Sequence, residues 1–206
     1  MSDQVTHYKI FVSTTDGLKE EFSALCQKVS AYSDIEGKHI KLQFDVVFWK
    51  NEPPGYGERP QSVFNKELRE CDYLILILWD RFGTPPDKDG KSRYKSGCEE
   101  EFYEAIKCYG DKPGDIHDIA VLFKEINEEE IENIDRKQIN AVNKFREKLE
   151  ESNKCIYKKF SSMQEFERII WELLAKWRQK HEVLDRRKEL SVTSTADGSE
   201  IDIDRT

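Results

Sequence analysis

Apolar residues along this chain follow two rhythms that alternate five times. The first is a short strand-like run, almost unbroken apolar in Tyr73–Trp79, as in a strand covered on both faces, and alternating at first in Ile40–Trp49. It occurs at His7–Val12, Ile40–Trp49, Tyr73–Trp79, Ile116–Phe123 and Lys154–Phe160. The second returns every three to four residues and predicts a helix with one buried stripe. Phe22, Leu25 and Val29 mark such a stripe from Leu18 to Tyr32, and Val63, Phe64 and Leu68 mark another from Pro60 to Arg69. Cys98, Phe102, Ala105, Ile106 and Tyr109 share a face from Ser96 to near Gly110. Sparser apolar positions run from Glu128 to Glu151, and a strong stripe from Phe166 to Trp177 lies in a last helix from Met163 to about Arg187. Regular strand–helix alternation predicts an α/β fold: a flavodoxin-like, open, parallel five-stranded sheet with helices on both faces. Tyr73–Trp79 is the natural central strand, and the lysines of 154–160 suit an edge. Residues 1–187 are expected to form one domain. Ser191–Thr206 is polar and acidic, so 188–206 reads as a disordered tail or a linker to a further region.

Open parallel sheets bind ligands beyond the carboxyl ends of their strands, so the connections there are the places for chemistry. After the first strand, Ser13-Thr14-Thr15-Asp16-Gly17 can offer hydroxyls and backbone N–H groups to an anion or a ribose. The competing reading is that Thr15 or Asp16 caps the next helix. Lys50–Arg59 carries Pro53, Pro54, Gly55 and Gly57 and must be a loop; Tyr56, Glu58 and Arg59 make it a candidate binding loop. After the third strand comes the turn Asp80–Pro86, and then Ser96-Gly97-Cys98-Glu99 fits a capping box in which Glu99 reaches back to Ser96. At about 100° per residue, Glu100 and Glu104 point away from the apolar face into solvent, while Glu99 and Glu101 flank it. Glu99 has a capping task. Glu101 is left as the acid best placed for chemistry, with a solvated side chain as the alternative.

Composition narrows the partners. A net charge of -8 argues against nucleic acid or an anionic membrane as the main partner. No apolar run is long enough to span a bilayer. Five cysteines, odd in number and without CxxC spacing, suit a reducing cytoplasm better than a disulfide framework or a metal site.

Four stretches, KIFVSTTDGLKEEF (9–22), GYGERPQSVFNKELRECD (55–72), YLILILWDRFGTPP (73–86) and SGCEEEFYEAI (96–106), together resemble a TIR (Toll/interleukin-1 receptor) domain. The resemblance is greatest to the TIR-like N-terminal domains of bacterial multidomain NTPase and repeat proteins. It implies an NAD(P)+ glycohydrolase, with NAD+ as substrate and neither cofactor nor metal. TIR enzymes often carry their glutamate in Cys-x-x-Glu followed by an aliphatic residue. Cys98-Glu99-Glu100-Glu101-Phe102 matches, with Phe102 in the aliphatic place, so the catalytic role falls on Glu101. Cys98 stands where the nearer relatives are expected to have Thr, and packing suits it better than nucleophilic attack. The resemblance further implies that Ser13 and Thr14 meet ribose or phosphate. Trp49 or Phe82, with Gly83 beside it, would stack on a ring, and Arg59 and Arg81 would meet the pyrophosphate. The chemistry is consistent: nicotinamide leaves as a neutral molecule, so one carboxylate that stabilises the charge growing on the ribose is sufficient. Activation by self-association through residues 52–59, a cytoplasmic role in bacterial immune signalling, and a place at the N-terminus of a longer protein are also implied. Two other functions remain open at this point. One is a non-enzymatic self-association or adaptor module. The other is a nucleotide-derivative sensor or N-glycosyl transferase, since nucleoside deoxyribosyltransferases share a Gly-Thr-x-x-Glu pattern on a similar layout.

Overall fold

The computed structural model describes residues 5–48, 60–86, 92–127, 134–152 and 155–196, with side chains except at 60 and 183–196. Five strands alternate with helices. They are β1 (Thr6–Thr14), α1 (Lys19–Tyr32), α2 (Lys38–Ile40), β2 (Leu42–Val47), α3 (Pro60–Arg69), β3 (Tyr73–Leu78), α4 (Gly97–Lys107), β4 (Asp118–Lys124), α5 (Arg136–Ser152), β5 (Ile156–Phe160) and α6 (Met163–Ala196). A π-helical turn, Ser33–Gly37, joins α1 to α2 and was not foreseen. All neighbouring strands are parallel, in the order β2-β1-β3-β4-β5. The expected flavodoxin-like α/β sheet is therefore present, with β3 central and β5 at an edge.

Strand alternation sorts β3 between two cores. Tyr73, Ile75 and Ile77 join Leu25, Val29, Ile170, Leu174 and Trp177 on the α1/α6 face. Leu74, Leu76 and Leu78 join Phe102, Ala105, Val142 and Phe145 on the α4/α5 face. All six β3 residues are buried, which explains why the run carries no polar alternation. The stripe on α6 is also buried throughout, and Trp177 stacks on Tyr73 with ring centroids 4.0 Å apart.

Two boundaries differ from expectation. Asp135 accepts a hydrogen bond from the Lys137 N–H at 2.8 Å and so caps α5, which starts at Arg136; the expected start at Glu128 lies outside the described residues. Helix α6 continues past Arg187 to Ala196, into the segment expected to be disordered. Residues 186–190 (Arg-Arg-Lys-Glu-Leu) favour helix, and no Gly or Pro interrupts before Gly198. Residues 197–206 lie outside the described part. Among the described residues no helix is long and apolar enough to cross a membrane.

Candidate functional site

In this strand order the connections after β1 and β3 leave in opposite directions, opening a crevice where the two strands end side by side. A cleft of ≈ 720 Å³ lies there. Its lining includes Ser13, Thr14, Asp16, Arg81, Gly83 and Cys98, with Glu101 at one wall and Gln61 and Gln138 beside it. Of the nine residues singled out beforehand, six meet in it: Ser13, Thr14, Arg81, Gly83, Cys98 and Glu101. Trp49 and Arg59, with the rest of the 52–59 loop, lie outside the described residues.

Ser13 and Thr14 belong to β1 rather than to the loop after it, paired in register with Leu76 and Ile77. They line the cleft as the last residues of a strand, not as a ring of free backbone donors. Neither Thr15 nor Asp16 caps α1, whose N-cap is Leu18 with no side-chain hydrogen bond. Asp16 instead lines the cleft, exposed, and the Thr15 hydroxyl is buried without a hydrogen-bond partner.

The turn after β3 is held from the side. Gln138 of α5 accepts hydrogen bonds from the N–H groups of Phe82 (2.9 Å) and Gly83 (3.0 Å) and donates to the Gly83 carbonyl at 3.3 Å. Gly83 has φ +93°, a conformation that favours glycine. Phe82 does not reach the cleft. Its ring is buried against Phe145, centroids 5.2 Å apart, so the expected stacking role is corrected: residue 82 anchors the turn in the α4/α5 core. Arg81 is exposed at the rim, 3.5 Å from Asp80.

Helix α4 begins as expected at Ser96, whose hydroxyl accepts from the Glu99 N–H at 3.0 Å. Glu99 does reach back, but to the N–H of Lys95 (2.6 Å), one residue earlier than the motif predicts. The larger correction concerns Glu100 and Glu104. Both are buried, not solvated, because α3 lies along that flank of α4. Three residues one turn apart on α3 each hold one of its acids. Gln61 Nε2 donates to Glu101 at 2.9 Å, Asn65 Nδ2 to Glu100 at 2.8 Å, and Arg69 Nε to Glu104 at 2.8 Å. Conversely, Ile106 and Tyr109, expected to face the sheet, are exposed. Gln61 and Gln138 were both missed. The available signal for Gln61 was the polar series Gln61, Asn65, Arg69, spaced one helical turn apart.

Glu101 is 5% exposed. Burial pushes its carboxyl up from 4.5 to about 6, against the pull of hydrogen bonds from Ser13 and Gln61 and with the charge of Glu100 adding to the rise. Glu101 is therefore still mostly ionised at neutral pH. The Ser13 hydroxyl, with one proton to give, sits between Glu101 and Cys98 Sγ, 3.4 Å from the sulfur. Burial, reinforced by Glu101, lifts the Cys98 thiol to about 12, so it stays protonated and is a poor nucleophile. Among the described residues no group of three or more His, Cys, Asp or Glu side chains is placed to hold a metal. A second hollow of ≈ 540 Å³ runs along the β2 edge, but there Ser33 is committed to the Phe44 backbone and Lys38 to Asp34.

The fold and cleft define an α/β protein of doubly wound type with one buried carboxylate at its crevice. The chain belongs to the family described as Domain of unknown function (DUF4062), which it matches over residues 9–175. No curated protein matches it. Among solved structures it is similar to the apo form of translation elongation factor SelB from Methanococcus maripaludis. That likeness has 10% identity and a TM-score of 0.42, and covers 84% of this chain and 35% of that one. The chain thus spans about a third of that structure's length, and a likeness at this level carries no argument.

Proposed function

We propose that the cleft cleaves the N-glycosidic bond between nicotinamide and ribose in NAD(P)+, and that the domain is a TIR-like glycohydrolase. One observation carries the reading: a buried, ionisable carboxylate, Glu101, stands with a strand-end serine at the crevice where doubly wound sheets bind ligands. In this reaction the C1′–N bond breaks and its electron pair stays on nicotinamide, which leaves neutral. Water adds its oxygen to C1′ and releases a proton, giving ADP-ribose. Glu101 stabilises the positive charge on the ribose as it develops. Ser13 and Thr14 meet the sugar, Arg81 meets the pyrophosphate, and the open first turn of α4 at Gly97 and Cys98 adds the positive end of a helix dipole. The setting is cytoplasmic immune signalling, with activity rising on self-association.

The test uses concentrated protein, alone and fused to an oligomerising partner, incubated with NAD+ and with NADP+. Nicotinamide is expected from the wild type and from Glu99→Gln, and not from Glu101→Gln. No release from the wild type in any of these forms rejects the reading. A second reading, a self-association module without chemistry, has one observation in its favour. Glu101 already has protein donors in Ser13 and Gln61, as a structural carboxylate would.

A further inference from the structure

We propose that Gln61 is the positioning residue for Glu101: its amide fixes the direction of the carboxylate, and the missing side chain at Gly97 is what admits it. This rests on reading Glu101 as the functional carboxylate.

The amide nitrogen of Gln61 has two acceptors in reach. Nε2 donates to Glu101 at 2.9 Å and lies 3.4 Å from Asn65 Oδ1, while Asn65 in turn donates to Glu100. A flipped amide would set Oε1 against the Glu101 carboxylate, so the hydrogen-bond network selects the orientation. Gln61 is itself buried, 6% exposed. On its other side the backbone of Gly97 comes so close that a Cβ there would lie 2.7 Å from Gln61 Oε1. Any larger residue at 97 must push the amide off its place. The donor is neutral, and that choice has consequences. It stabilises the charged carboxylate and sets its direction, yet adds no cation that would bind the carboxylate permanently. Among the described residues, the other titratable or charged groups around Glu101 are Glu100 and Cys98 on its own helix, with Asp16, Arg81 and Asp135 lining the cleft. Only Arg81 among these is cationic, and it is exposed at the rim beside Asp80.

The experiment follows the carboxyl ¹³C resonance of Glu101 against pH in protein labelled at glutamate, assigned by its loss in Glu101→Gln. Nicotinamide release is recorded over the same pH range. In the wild type the midpoint falls near 6. Gln61→Leu removes the donor and is expected to raise the midpoint by about one pH unit, and the acid limb of the release profile moves with it. Gln61→Lys keeps a donor but adds charge, and lowers the midpoint below the wild type. Gly97→Ala leaves Gln61 and Glu101 in place chemically and displaces the amide, so it raises the midpoint by less than Gln61→Leu. Arg69→Ala breaks the Glu104 contact of the same helix pair and leaves the Glu101 midpoint where it was. A midpoint that Gln61→Leu and Gly97→Ala both leave unmoved overturns the proposal, as does an equal shift in Arg69→Ala. If the midpoints move as expected while the wild type releases no nicotinamide, the glycohydrolase reading falls and the hold of Gln61 on Glu101 stands.

Discussion

Glu101 and Glu104 sit three residues apart on one helix, both buried against α3, and their acidities move in opposite directions. At the cleft end, burial dominates and the neutral donors Ser13 and Gln61 only soften it, so the Glu101 carboxyl is raised to about 6. At the far end, burial also pushes Glu104 up, but hydrogen bonds and charge from Lys107 and Arg69 overcome it and hold the carboxyl below its ordinary value. The helix, the flank and the residue type are the same. What differs is whether the partners carry charge. A carboxylate locked between two cations holds helices together and is tied up. One that meets only neutral donors keeps its charge at some cost and can still respond to a substrate. The helix pair thus separates a structural acid from an available one within a single turn.

The comparison breaks most visibly in activity. Glu101→Gln is expected to lower nicotinamide release by at least about 100-fold, the scale of removing a transition-state electrostatic contact. Glu104→Gln should stay within about threefold of the wild type in the same assay.

Stability should show opposite signs. Because Glu101 has a raised carboxyl, its ionised form opposes folding, and Glu101→Gln is expected to gain about 1–2 kcal/mol at pH 8 in urea unfolding. Glu104→Gln should lose about 0.5–1 kcal/mol, a modest cost because Arg69 and Lys107 are half exposed. Equal signs for the two variants would remove the distinction drawn here.

pH sharpens it further. The contribution of Glu101 to stability is fully present below its ordinary 4.5 and is lost as pH rises through about 6. The advantage of Glu101→Gln should therefore shrink as pH falls from 7 to 5 and close near 4.5, measured by unfolding at stepped pH. For Glu104, with its lowered carboxyl, the stabilising contribution stands above the ordinary value and is lost as pH falls through the depressed one. The smallest effect is that of salt. Raising it to 1 M, where charges are screened within about 3 Å, should reduce the cost of Glu104→Gln by a few tenths of a kcal/mol and leave the Glu101→Gln gain nearly unchanged.

How much of this was legible in the sequence depended on which neighbour decides the outcome. The sheet and its order of layers follow from apolar runs such as 73–78, where the residue's own chemistry settles burial. Glu101 was singled out because the capping box at Ser96 gave Glu99 another task and the Cys98-x-x-Glu resemblance fell on it. Glu100 and Glu104 could not be placed, because a helical wheel locates the one face that is apolar. It is blind to a second face buried by a polar neighbour, and α3 covers that flank with Gln61, Asn65 and Arg69. Phe82 was misassigned for a related reason. Proximity to the cleft along the chain does not tell which way a ring turns, and Phe102 and Phe145 offered it an apolar seat. The end of α6 was misplaced because polarity was equated with lack of structure, whereas the helix runs on to Ala196 with no Gly or Pro to stop it.

The bare backbone at Gly97 leaves a trace that could be sought outside this molecule, in the pattern of paired substitution among its relatives. A side chain at 97 would meet the end of the amide at 61, which must turn aside to make room. Wherever evolution has placed alanine or serine at the first position, the second should have shortened or changed in the same lineage. The two positions are expected to drift as a linked pair, though 36 residues separate them along the chain.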